Sequence, residues 1–180
     1  MIKKRLTSII FVLTTLLMLS SCREVTITSS LFCDFVSYTD RSGYFENGYV
    51  YTFRDLHDIN RSDDVSGMNF LGSTITIEGL SPGGLVQGDI IRDLYIDVRG
   101  MDPFLLDRSI PVLRDGERIT ITSRDDQELY YFMRDAIRRF YNNGELDIMV
   151  YGRLVHNNVG VPDFRMRVTI DNLIDVSVWD

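Results

Sequence analysis

The chain has 180 residues, a formal net charge of −7 and 44% hydrophobic residues. Those figures describe a globular chain of single-domain length. They exclude a low-complexity or collagen-like protein, a polytopic membrane protein and a basic nucleic-acid binder.

Met1 and Ile2 are followed by Lys3, Lys4 and Arg5, then by an apolar stretch from Ile9 to Leu19. That stretch is about half of the ~20 residues a spanning helix needs. A basic head, a short apolar middle and a small-residue end are the parts of a secretory signal peptide. The end reads Leu19-Ser20-Ser21-Cys22. It resembles the lipobox of bacterial lipoproteins, in which a branched apolar residue and two small residues precede an invariant cysteine. The resemblance implies a signal peptide over 1–21, cleavage before Cys22, lipid on its sulfur, and one mature domain over 22–180. The residue types suit that chemistry. Small side chains let an extended backbone enter a peptidase cleft, and only a thiol accepts diacylglycerol as a thioether. An ordinary secretory signal shares the head and the apolar run; the spaced cysteine is what points to lipidation.

Loss of Lys3, Lys4 and Arg5 with the leader takes the formal charge from −7 to −10 and removes every lysine of the chain. The remaining body has no Schiff-base lysine, lysine general base or P-loop lysine. Its acidity gives no attraction to nucleic acid or anionic headgroups, so membrane attachment falls to N-terminal acyl chains. In the sorting scheme of enteric lipoproteins, Asp after the lipidated cysteine retains the protein at the inner membrane. Arg23 stands there instead, which implies the outer membrane.

With Cys22 lipidated, Cys33 has no disulfide partner. It lies on the apolar side of the alternation Val25, Ile27, Ser29, Leu31, Cys33, Phe35 and reads as a buried small hydrophobe. Val25 to Tyr38 is one long strand or two joined. Tyr44 to Phe53 is an aromatic strand, and polar Arg54 to Gly67 an exposed loop. Phe70 to Glu78 and Asp93 to Arg99 alternate as strands, separated by turn chemistry at Ser81-Pro82-Gly83-Gly84. Glu117 to Thr122 is another. The period then changes: Leu129, Phe132, Met133, Ala136, Ile137 and Phe140 follow helical spacing over Asp125 to Tyr141. Asp125 and Glu128 are spaced like a capping box, and Asn142-Asn143-Gly144 ends the helix. Leu146 to Tyr151 and Phe164 to Asp171 alternate as strands around a turn at Asn157-Asn158, and Leu173 to Trp179 extends the last strand or starts another. About seven strands, one amphipathic helix and no β-α-β repetition predict a mainly β, two-sheet antiparallel, immunoglobulin-like sandwich.

From Glu117 onward the order is strand, helix ending in Asn-Gly, strand Leu146 to Leu154 with Tyr151-Gly152, turn, strand from Phe164. It is similar to the second half of LEA/WHy-type domains (late embryogenesis abundant), which are seven-stranded sandwiches with one helix before the last strands. The resemblance implies a structural or stress-protective protein working through its surface. The family's Asn-Pro hallmark is missing, with Asp102-Pro103 the nearest echo.

Catalytic constellations are thin. Gly79-Leu80-Ser81-Pro82-Gly83 matches the G-x-S-x-G string of hydrolases, but Pro82 has no N–H for an oxyanion and Gly83-Gly84 starts no helix. Asp55, His57, Asp58, Asp63 and Asp64 gather oxygen ligands in the polar loop without EF-hand spacing, so a solvated loop is the simpler reading. His156 reads as an exposed turn residue. A hydrolase built on scattered carboxylates requires at least two of them to converge in a cleft. Tyr44, Phe45, Tyr49, Tyr51 and Phe53 form the densest aromatic group and are the expected interaction surface. The sequence thus predicts a non-enzymatic, lipid-anchored envelope protein with no cofactor. It would act as a binding or assembly module for an envelope protein or glycan.

Overall fold

The computed structural model describes residues 24–57, 59, 64–156 and 159–179. The lipobox with Cys22, the loop residues Asp58 and Asp63, the Asn157-Asn158 turn and the side chain of Asp64 lie outside them. Among the described residues, nine strands and one α-helix follow in the order β1 (Glu24–Tyr38), β2 (Tyr44–Thr52), a single 3-10 turn (Phe53–Asp55), β3 (Asp64–Gly79), β4 (Asp89–Val98), β5 (Phe104–Pro111), β6 (Ile119–Thr122), α1 (Gln127–Asn143), β7 (Glu145–His156), the two-residue β8 (Val159–Gly160) and β9 (Arg165–Trp179). One antiparallel sheet runs β1-β9-β3-β6 and the other β2-β7-β4-β5, with β8 pairing β7 beyond β2.

Alternation dictates how the sheets meet. β9 buries Met166, Val168, Ile170, Asn172, Ile174, Val176 and Val178 and turns every second residue outward. From the other sheet, Leu146, Ile148, Val150 and Leu154 of β7 and Ile91, Leu94, Ile96 and Val98 of β4 share the same core. β1 pairs β9 from Glu24↔Trp179 to Tyr38↔Arg165 without a break. β3 pairs the other side of β9 but bulges at Val65/Gly67 and Phe70/Gly72.

Helix α1 buries Leu129, Met133, Ala136, Ile137 and Phe140, spaced three and four apart, against β3 and β7. Its ring contacts are Phe70–Tyr130 at 5.2 Å, Phe104–Phe132 at 5.0 Å and Phe53–Phe140 at 5.0 Å. β6 pairs β3 only from Thr74 to Ile77, and the helix packs against β3 as well. The outer edge of β1 is covered too. Asp34 N donates to the Tyr51 hydroxyl at 3.0 Å, Asn47 Nδ2 to Val36 O at 2.7 Å, and His57 N to Ser30 O at 3.0 Å.

Several expectations need correction. β5 has no counterpart in the sequence reading, because Phe104-Leu105-Leu106 does not alternate and Pro103 precedes it. β3 begins at Asp64, inside the segment read as loop, since pairing with β9 supplies order that polar residues do not advertise. The helix cap is Asp126, not Asp125: its carboxylate accepts from Glu128 N and Leu129 N, each at 3.0 Å. Asp125 instead accepts from Thr122 Oγ1 at 2.7 Å. Gly144 closes the helix at φ +75°, donating to Phe140 O. His156 is the last residue of β7, half-buried and hydrogen-bonded through Nδ1 to buried Asp89, not an exposed turn residue.

Candidate functional site

The aromatic group on β2 does not form one surface. Phe45 and Tyr51 point into the core, and Tyr44 and Phe53 are half-buried. Tyr49 alone of the five is exposed, with its ring 4.9 Å from that of Tyr51. Burial pushes the Tyr51 phenol above its ordinary value; burial and the bond to Glu46 push Tyr44 up to about 12. The reason is β2's place as the edge strand beside β1: Phe45 and Tyr51 turn into the core there, and the Tyr51 hydroxyl caps a β1 amide. Cys33 is buried next to Tyr51, and burial raises its thiol well above the ordinary range.

Of the polar-loop group, Asp55 and His57 are the members whose side chains are described, and each has a local contact. Asp55 accepts from Thr52 N at 2.7 Å and Thr52 Oγ1 at 3.1 Å, which makes it the reciprocal partner of the N-cap Thr52 in the capping box of the 3-10 turn. His57 binds back to β1 through its main chain, its carbonyl accepting from Ser29 Oγ. Among the described residues no three His, Cys, Asp or Glu side chains are grouped as metal ligands. Ser81 sits in a turn, with Gly84 N donating to its carbonyl and Arg165 N to its hydroxyl at 2.8 Å, so it is no nucleophile elbow.

What the fold does bring together lies on the outer face of β1-β9-β3-β6. Register aligns three rows there. Val36, Arg167 and Glu78 share one row, with Arg118 beyond Glu78; Asp34, Thr169, Thr76 and Thr120 form the next; Phe32, Asp171, Thr74 and Thr122 the third. Ion pairs knit the first row to its neighbour across β1, β9 and β3, ending on Arg118 just before β6. Arg167 Nε lies 3.2 Å from Asp34 Oδ1 and its Nη1 3.3 Å from Glu78 Oε1, while Arg118 Nη2 donates to Glu78 Oε2 at 2.6 Å. Arg118's bonds, aided by Arg167, outweigh partial burial and hold the Glu78 carboxyl below its ordinary range.

Two depressions of about 310 and 1110 Å³ adjoin on this face and share Thr74 and Asp171. The larger exists because β6 stops at Thr122, opposite Thr74, and the chain turns into α1, leaving Leu71 to Ser73 of β3 without a strand on the β6 side. The corner is fixed by Ser123: its amide donates to Ser73 O at 2.9 Å and its hydroxyl accepts from Ser73 N at 2.8 Å. Exposed Thr74, Arg124, Asp125 and Asp171 offer hydrogen-bonding groups in this groove. Leu71, Leu173 and the half-buried Tyr130 ring supply apolar flanks. Asp125 and Asp171 are the carboxylates that line this groove, and both are exposed. The groove went unread in the sequence because its residues come from β3, β9 and the β6–α1 corner. Only the outward parity of Thr74, Thr122 and Asp171 on their strands hinted at it.

No helix among the described residues is long and apolar enough to cross a membrane. No protein-family model matches the chain, and no curated protein matches it. Among solved structures the chain is similar to the decameric BFDV capsid protein, at 7% identity and a TM-score of 0.43, over 87% of this chain and 99% of that one. At that level the likeness bears on neither ligand nor activity.

Proposed function

We propose that the chain is a non-enzymatic, lipid-anchored lipoprotein of the bacterial cell envelope, at the outer membrane, that binds a glycan in the groove beside β6. The lipobox supports the anchor and the compartment. The observation that carries the binding reading is the groove itself: hydroxyl, carboxylate and guanidinium groups interleaved with an aromatic ring and two leucines. A sugar chain presents hydroxyls at its rims and C–H groups on its faces, and a site for it needs that mixture. The exposed Phe32, Leu71 and Leu173 of this face alternate with the hydroxyls and carboxylates of Thr74, Thr169 and Asp171.

The test is calorimetric titration of the unlipidated body, residues 23–180, with glycan strands released from cell wall and with outer-membrane polysaccharide. Asp171→Ala and Tyr130→Ala are expected to weaken binding of one of them by about tenfold each, the loss of one charge-assisted hydrogen bond or one ring contact. Unchanged affinity in both variants, no binding of either glycan, or cleavage of a glycan during titration would overturn the reading. Acylation of Cys22 is checked separately by intact mass, and Cys22→Ser is expected to release the protein from membranes.

A further inference from the structure

We infer that the end of the sandwich carrying Glu24 and Trp179 rests against the phospholipid headgroups, with the Trp179 indole at the membrane interface. The inference rests on the lipid-anchored reading and adds to it an orientation and a contact surface.

The argument starts from how little chain separates the anchor from the fold. β1 is in register with β9 from its first residue, Glu24 opposite Trp179 and Val25 opposite Val178. Between Cys22 and Glu24 there are two Cα–Cα steps, at most ~7.6 Å. The headgroup layer on one side of a bilayer is about 5–8 Å deep. An acylated Cys22 therefore has no slack with which to hold the domain off the surface, and Glu24 comes to within about one headgroup layer of the lipid chains.

The residue facing Glu24 suits that position. Trp179 is 50% exposed at the end of β9, and β3 approaches the same end, with Val65 opposite Val178. An indole has an apolar body and one N–H, so it gains most where one side is hydrocarbon and the other is wet. Elsewhere on the surface an exposed indole gains nothing comparable. The geometry also sets where the groove stands. Asp171 lies eight residues before Trp179 on one continuous strand, so the groove is presented up to ~26 Å from the headgroups.

Trp179 is the protein's single tryptophan, which makes its fluorescence an unmixed report on this end. The full-length precursor is processed in cells, Cys22 acylation is verified by intact mass, and the protein is reconstituted into phosphatidylcholine vesicles. One set of vesicles carries bromine near the top of the acyl chains. The acylated protein is expected to show blue-shifted emission, with severalfold stronger quenching than secreted Cys22→Ser protein mixed with the same vesicles. An acylated protein whose Trp179 emission and quenching match those of Cys22→Ser overturns the orientation while leaving the lipoprotein reading intact. A Cys22 without acyl mass overturns the lipoprotein reading, and the orientation with it.

Discussion

Asn172 of β9 and Ser73 of β3 meet inside the apolar core, where the Ser73 hydroxyl donates to Asn172 Oδ1 at 3.0 Å. The Asn172 amide in turn donates to Leu31 O of β1 at 3.3 Å. One fully buried side chain thus ties three strands of the sheet together beside the Phe70/Gly72 bulge.

Replacing it tests how much a satisfied polar group in the core contributes. Asn172→Leu leaves the Ser73 hydroxyl and the Leu31 carbonyl without that partner and is expected to cost about 1–3 kcal/mol. Urea unfolding should show a lower midpoint at unchanged slope. Adding Ser73→Ala should recover part of the loss, because the stranded hydroxyl goes with it.

Glu78 links stability to pH. Its folded carboxyl is held below the ordinary glutamate value, Arg118 contributing most and Arg167 adding to it. A carboxyl whose folded affinity for protons is depressed stabilises the fold above its unfolded pKa of about 4.3, and that contribution is lost as pH falls through the folded value. Glu78→Gln is expected to lower stability at neutral pH by about 1 kcal/mol or less, since Arg118 is largely solvent-exposed. The gap between variant and parent should close as pH falls below the ordinary glutamate range, measured as urea midpoints across the acid range. A gap that persists there would mean Glu78 acts through packing instead of charge.

Asp126 and Asp125 separate a cap from its neighbour. Asp126 satisfies two amides of the first helical turn, whereas Asp125 bonds only to Thr122. Asp126→Ala should cost about 1 kcal/mol and Asp125→Ala a few tenths, read as shifts in melting temperature. A reversed order would place the helix start one residue earlier.

The sequence by itself determined the elements whose signal is local. Strict alternation marked β1, the core of β4, β7 and the long β9, and helical spacing from Leu129 to Phe140 marked α1, because burial on one face imposes a period on consecutive residues. The same alternation assigned Cys33 to the interior. The positively charged head, apolar run and Cys22, on which the lipoprotein proposal rests, are equally local, a pattern carried by consecutive residues.

Tertiary structure decided what depends on neighbours distant in the chain. β5 lacks alternation and acquires strand form from pairing with β4, and the first part of β3 from pairing with β9. Whether a tyrosine is a surface or a plug is likewise not written beside it: Tyr49 and Tyr51 share a face of one strand, yet only Tyr51 reaches the gap beside β1. The groove is the extreme case. Thr74, Thr122 and Asp171 are unremarkable outward residues of three separate strands, and they line one groove only because antiparallel register sets them in a row where β6 ends.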